Sequence, residues 1–315
     1  MAIAEQTDMK GKNIHTDWPA FREFGWRLKE IESTTFQIKS HPENGQMVII
    51  LNHPIVRGVS CSMIHWWFQH FANLKIRLKN VGNYGDGDVV PAYFLWHPKD
   101  HFGATLLDQV EDGKYHVGAR IHIQEAMSFD KYERKYLVDD ATTCWYLRNG
   151  TFGGQGMGVN LPFGSWILSS RICWEDVKDG EIDVGVHYHY EMTIGIANKL
   201  FGKWINPILK YKKGISEEWY REWNRHNVIE VGTFENFLPR LYDQRDILVN
   251  KPVSEWIMEY DAKTDDAAKN LPIQNESHDP SLVDSRMDGY MKSDDTHQHL
   301  RTTQALGDKF YKSDE

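Results

Sequence analysis

The sequence predicts an α+β fold in which a curved antiparallel sheet grips a long C-terminal helix. Three observations predict it. Five runs between residues 92 and 195 alternate or stay apolar as strands do, and turn signals such as "YGDGD", "EDGK" and "KDGE" separate many of them. Residues 196–245 have helical spacing instead. Helices do not alternate with the strands, which argues against a doubly wound parallel sheet. A curved sheet gripping a long helix would enclose a cavity between them.

Residues 1–17 are polar and predict a flexible N-terminus. "WPAFREFGWRLKEI", residues 18–31, has apolar spacing fit for a helix, with Pro19 acceptable in its first turn. "TFQIKS" and "MVIILN" are predicted strands. "SCSMIHWWFQHF" is a predicted helix with Ile64, Trp67, Phe68 and Phe71 on one face and serines to cap it. "AYFLWH", "KYHVGARIHIQEAM", "ATTCWYLRNG", "FGSWILSSRICWED" and "IDVGVHYHYEMTIG" follow as strands. "GTFGGQGMGVNLP" reads as a glycine-rich loop between two of them. It has no following lysine and no βαβ surroundings, so it is no phosphate loop. The helical region breaks near Pro207 and Gly214. A pocket domain with N-terminal helices is thus predicted over 18–250. Residues 251–315 are predicted to be an acidic, poorly ordered extension, with docking segments at "VSEWIMEY" and "ALGDKFY".

Charge and composition narrow the function classes. From residue 255 onward there are 14 acidic and 7 basic side chains, against 31 and 29 before it, so the main body is nearly neutral. No basic face for nucleic acid is present in the pattern. No apolar run reaches membrane-spanning length and no signal core opens the chain, so no membrane partner and a cytoplasmic location are the expectations. The three cysteines lack metal spacing and read as reduced thiols. The 12 tryptophans fill either a core or a cavity built for planar ligands.

The chemistry concentrates in three places. In "SEEWYREWNRHNVIEVG", Trp219, Trp223, His226 and Glu230 share one helix face. The tryptophans turn that face inward, so His226 and Glu230 need partners; a divalent metal or a mutual hydrogen bond both satisfy them. "YFLWHPKDHFG" places His97, Asp100 and His101 at the end of an aromatic strand, as metal ligands, ligand-orienting groups or a turn network. In "ARIHIQEAM", Glu125 shares a strand face with Ile121 and Ile123 and so points inward, whereas His122 and Gln124 take the other face. "GVHYHYEM" likewise separates Tyr188 and Tyr190 from His187 and His189. Two histidines and two glutamates from separate segments suit Zn²⁺, with Fe and Mn as lesser choices, in a catalytic site that keeps room for water.

"MIHWWFQHF", "YFLWHPKDH" and "RHNVIEVGTFENFLP", in this order, resemble the 2,4-diacetylphloroglucinol hydrolase and phloretin hydrolase family over about residues 20 to 245. The resemblance implies a helix-grip (Bet v 1-like) fold and a zinc ion held by two histidines and two glutamates. It also implies hydrolysis of the carbon–carbon bond between an acyl group and a phloroglucinol ring. Carried over, His226 and Glu230 are ligands, His101 is the third with His97 as its alternative, and Glu125 is the fourth. Tyr93 and Tyr188 correspond to tyrosines that hold ring hydroxyls, and His97 with Asp100 completes the catalytic set. No match is found near 165–190 for a histidine the family uses, and the tail past 250 has no counterpart.

The expectation is therefore a zinc-dependent hydrolase of an acylated polyphenol or β-diketone-like compound. The rivals are a non-hydrolytic cyclase or pericyclase using the same aromatic pocket, and a carrier of hydrophobic metabolites. The partner expected is a small aromatic or polyketide-like molecule, with a homodimer left open.

Overall fold

"TFQIKS" and "MVIILN" pair as their alternation predicts, forming the hairpin of β1 (Thr35–His41) and β2 (Gln46–Asn52). Its turn is closed by Gly45 at φ +74°, a left-handed conformation that glycine adopts without strain. The structure is a computed structural model and describes residues 22–264 apart from 27, 109, 131, 132, 151 and 161–165. In chain order the elements continue with β3 (Val56–Arg57), α1 (Cys61–His70), β4 (Lys75–Lys79), β5 (Val89–Pro91), α2 (Tyr93–Trp96) and β6 (His101–Leu106). Then come β7 (Arg120–Asp130), β8 (Glu133–Arg148), β9 (Phe152–Asn160), β10 (Trp166–Asp179) and β11 (Ile182–Ile194). α3 (Lys199–Lys212), α4 (Glu217–Asp243) and β12 (Ile257–Asp261) complete the described chain.

The architecture is α+β. A nine-stranded sheet runs β1-β2-β11-β10-β9-β8-β7-β6, with β3 beside β11, and every pairing in it is antiparallel. A small sheet, β12-β4-β5, joins the C-terminal strand in parallel to β4. α4 begins where Ser216 accepts a hydrogen bond from the Trp219 amide, and its inner face packs against α1, α2, β3 and β7. Ser60 caps α1 in the same way, and Ile64, Trp67, Phe68 and Phe71 are all buried. Trp67 packs edge-on against Trp96, Phe234 and Phe237, while Phe68 stacks on Trp174. Part of the tryptophan count is thus structural.

Five expectations need correction. Residues 22–30, apart from 27, form no helix. The chain there is extended, bridging Glu23 to Gly82, with Gly25 at φ +76°. Arg22 ties the start of this segment to the 97–101 loop: its buried guanidinium donates to the carbonyls of His97, Pro98 and His101 and lies over the Phe94 ring. Residues 18–21 of that predicted helix, the flexible 1–17 and the "ALGDKFY" segment lie outside the described residues.

"YFLW" is the single helical turn α2, not a strand. All four of its side chains are buried, so alternation carried no information there. Pro207 does not break α3; it sits on the exposed side, where a freed carbonyl meets water, and only Gly214 (φ +65°) interrupts the helices. The acidic extension begins no earlier than residue 264, because Trp256, Met258 and Tyr260 are buried around β12. Residues 265–315 lie outside the described residues.

The glycine-rich segment is strand β9, not a loop. A Cβ on Gly153 would lie 2.0 Å from Trp174 Nε1, and one on Gly156 2.4 Å from Trp145 Cε2. The glycines let large rings of the neighbouring strands lie flat across β9. Gly153→Ala is therefore expected to cost roughly 1–3 kcal/mol by overpacking. Thermal unfolding checks this: a lowered Tm is expected, and an unchanged one contradicts the packing.

Candidate metal centre

Three elements converge on one buried cluster. His101 opens β6 and Glu125 is its register partner on β7, so adjacent strands bring an imidazole and a carboxylate together. α4 crosses them and adds His226 and Glu230 from successive turns of one face. His101 Nε2 lies 3.5 Å from Glu125 Oε1 and 3.6 Å from Glu230 Oε1. His226 Nε2 lies 3.6 Å from Glu125 Oε2 and 3.9 Å from Glu230 Oε2. All four side chains are buried. Three of them, His101, His226 and Glu230, lie close enough together to hold a metal ion, and Glu125 borders them.

The outer ring of contacts fixes which nitrogen faces the cluster. His101 Nδ1 is 3.1 Å from the Tyr93 carbonyl, so it carries the proton, and the ring stacks on Tyr93 at 3.9 Å between centroids. Its Nε2 then presents a lone pair toward two carboxylates, buried and without a hydrogen-bond partner. A cation between them, or a proton held by one of the carboxyl groups, satisfies that nitrogen. His226 Nδ1 donates to Asp100 Oδ2 at 3.0 Å, again leaving Nε2 for the cluster. Tyr93 donates to Glu125, and Asn227 donates to Glu230 at 3.2 Å while its own oxygen meets His53 Nε2 at 2.9 Å.

His97 and His101 face different neighbours. His97 Nδ1 accepts from the backbone amides of Asp100 and Lys99, so its proton is on Nε2, 3.3 Å from Asp100 Oδ2. His97 thus faces Asp100, and with Asp100 and His226 it forms a second buried group that could hold a metal ion. It stacks on His226 at 4.7 Å and positions Asp100.

Burial sets the charge states. It pushes Glu125 and Glu230 above the ordinary carboxylate range, and His226 partly opposes this. Burial holds His97 and His101 well below the usual histidine range, which keeps them neutral. For His226 burial opposes charge, but the bond to Asp100 and the nearby Glu125 and Glu230 outweigh it and lift the imidazole to about 9.

The cluster forms one end of a cavity of about 820 Å³ between the sheet and the α3–α4 connection. Trp96, Ile172, Tyr190, Trp219 and Trp223 give it aromatic and apolar walls, and Tyr93 lines it beside Glu125. Trp219 and Trp223 stack at 5.3 Å and continue the stripe of His226 and Glu230, as their spacing predicts. No protein-family model matches this chain, and no curated protein matches it in sequence.

Of the predicted residues, His101, Glu125, His226 and Glu230 come together, with Tyr93 and Asp100 in contact with them. Tyr188 does not line the cavity; it packs in the core against His53 and Phe234, while Tyr190, two residues on along the same face, takes the wall position. Asn227, His53 and Arg22 were not predicted. Asn227 alone had a sequence signal, standing three residues before Glu230 on the helix.

Proposed function

We propose that this chain is a zinc-dependent hydrolase that cleaves the carbon–carbon bond between an acyl group and a phloroglucinol-like ring, built on a helix-grip pocket. The observation that carries the reading is the unpartnered His101 Nε2 aimed at Glu125 and Glu230, which with His226 line an aromatic cavity. Imidazole nitrogens and carboxylate oxygens are the donor set that zinc takes at a catalytic site. His101, Glu125, His226 and Glu230 would hold the ion. Zinc there supplies Lewis acidity, polarising the acyl carbonyl and making water nucleophilic near neutral pH.

The chain's own groups orient the substrate. Trp219, Trp223 and Tyr190 offer flat faces for the phenolic ring. Tyr93 has committed its proton to Glu125, which leaves its oxygen as an acceptor for a ring hydroxyl. In the balanced reaction the ring carbon bearing the acyl group is protonated, giving a keto form. Water adds to the acyl carbon, and the carbon–carbon bond breaks with its electron pair passing into the ring as an enol. The products are a carboxylic acid and the deacylated phenol. His97 Nε2 lies 3.3 Å from Asp100 and its ring stacks on His226, so its part in this reading is to position those two side chains.

The test is turnover of an acylphloroglucinol in ¹⁸O-water by zinc-loaded protein. Label in the released acid, lost on chelation, is expected. Absence of cleavage of any acylphenol by the metal-loaded chain overturns the reading in favour of a cyclase or a carrier.

Two further outcomes follow from the contacts of His226. Asp100→Asn removes the anionic partner of His226 Nδ1 while keeping its shape, and is expected to weaken zinc binding about 10–100-fold without unfolding the chain. Competition with a chromophoric chelator measures it, and wild-type affinity contradicts the assigned role. Metal-free His226 carries a proton at pH 7, and Glu230 also keeps its proton above the ordinary range. Zinc must displace these protons, so its affinity rises with pH between 6 and 8, by roughly tenfold per unit for each proton released. A flat profile in the same titration contradicts ligation by His226.

A further inference from the structure

We propose that α3 docks the protein on an anionic lipid surface. The helix is built with its apolar side outward. Leu200, Phe201, Trp204, Ile208 and Tyr211 are 72, 56, 77, 55 and 87% exposed. At 100° per residue they fill one arc about 100° wide. The opposite side is small and polar: Gly202 and Asn206 are buried, and the Asn206 amide bonds the backbone of Asn44 and of Ile196 in both directions. Those bonds fix the helix in this orientation, so the apolar face is not a core face turned loose.

Charge selects the occupant. α3 contains Lys199, Lys203, Lys210 and Lys212 and no acidic residue, although the chain as a whole carries −9. Lys203 and Lys212 flank the apolar arc on its two sides, and among the described residues neither makes an ion pair. Trp204 near the middle of an apolar arc edged by Leu200 and Phe201, with lysines beyond both edges, is the pattern of a helix lying in a bilayer interface, the rings below the headgroups and the ammonium groups among the phosphates. A second copy fits worse. A twofold pairing sets the same face against itself, and this helix would bring only lysines to the margins. The contact is lateral: no helix among the described residues is long and apolar enough to cross a membrane.

The docked face adjoins the cavity, since Lys210, Tyr211 and Lys212 also line it. A ligand dissolved in the lipid would meet the cavity there. The docking itself does not depend on the proposed reaction, and its test reads no turnover.

The experiment is co-sedimentation of the full chain with phosphatidylcholine vesicles containing about one-third phosphatidylserine, and with phosphatidylcholine alone. Binding to the anionic vesicles, weakened by added salt, is expected, with little on the neutral ones. Trp204→Glu and Lys203→Glu are each expected to lower the bound fraction roughly tenfold or more, with Tm and zinc binding unchanged. Lys203 is exposed, so its variant keeps the test valid should Trp204→Glu misfold. Equal sedimentation with both vesicle types, or none, overturns the proposal. So does a parent dimer in analytical ultracentrifugation that Trp204→Glu converts to monomer, because a second copy then covers the helix.

Discussion

His226→Ala and Glu230→Ala are each expected to yield a folded chain that no longer retains zinc in stoichiometric amount and has lost acyl–ring cleavage by well over 100-fold. The loss should exceed the roughly 10–100-fold typical of an outer partner such as Asp100, because both residues contribute a donor atom to the cluster itself. Folding survives because neither side chain is held by apolar packing alone. Glu230 is raised first by burial and further by Glu125, while His226 opposes this, so it is substitution of Glu230 that relieves the metal-free cluster. In metal-free protein, Glu230→Gln should therefore unfold at a temperature equal to or above the parent's. Metal content by atomic emission and a thermal melt decide the matter together. Full zinc retention by both variants sinks the four-donor centre, whatever the activity.

The large features of this fold were legible because periodicity reports them directly. β2, β7 and α4 follow from alternation or helical spacing, and the inward faces assigned to Glu125, His226 and Glu230 are where the structure has them. Where prediction failed, the deciding partner was a backbone atom or a distant ring. Residues 22–30 have the spacing of a helix, yet Arg22 is held by three carbonyls of the 97–101 loop, which no side-chain pattern reveals. Which way His97 and His101 face depends on the backbone groups that meet each Nδ1. Tyr188 and Tyr190 share strand parity, so only the depth of the cavity along β11 distinguishes them. β9 looked like a loop because its glycines answer to Trp174 and Trp145 on neighbouring strands, a constraint of packing and not of turn chemistry.

Ending the chain after residue 250 is expected to cost most or all of its stability, while ending it after residue 264 is expected to cost little. The chain ending at residue 250 lacks Trp256, Met258 and Tyr260, which are 5, 0 and 1% exposed. Burial of each large apolar side chain contributes about 1.5–3 kcal/mol. Their joint loss is therefore on the order of the 5–15 kcal/mol that holds a whole domain folded. The damage reaches past the small sheet. β12 supplies the parallel partner of β4, and the Tyr260 hydroxyl accepts from Trp26 Nε1 at 2.8 Å. Phe24 and Trp26 stack on each other and meet the same tyrosine ring edge-on. Phe24 is two residues from Arg22, so the strap that clamps the His97–His101 loop is anchored on the strand being removed. Loss of zinc binding should accordingly accompany loss of fold, although residue 257 is far from any donor in sequence. Beyond residue 264 the chain is rich in aspartate and poor in apolar periodicity, which is why its removal should be mild. Circular dichroism melts and zinc titration of the two truncated chains measure the difference. A chain ending at residue 250 that melts cooperatively near the parent's Tm contradicts the role given to β12.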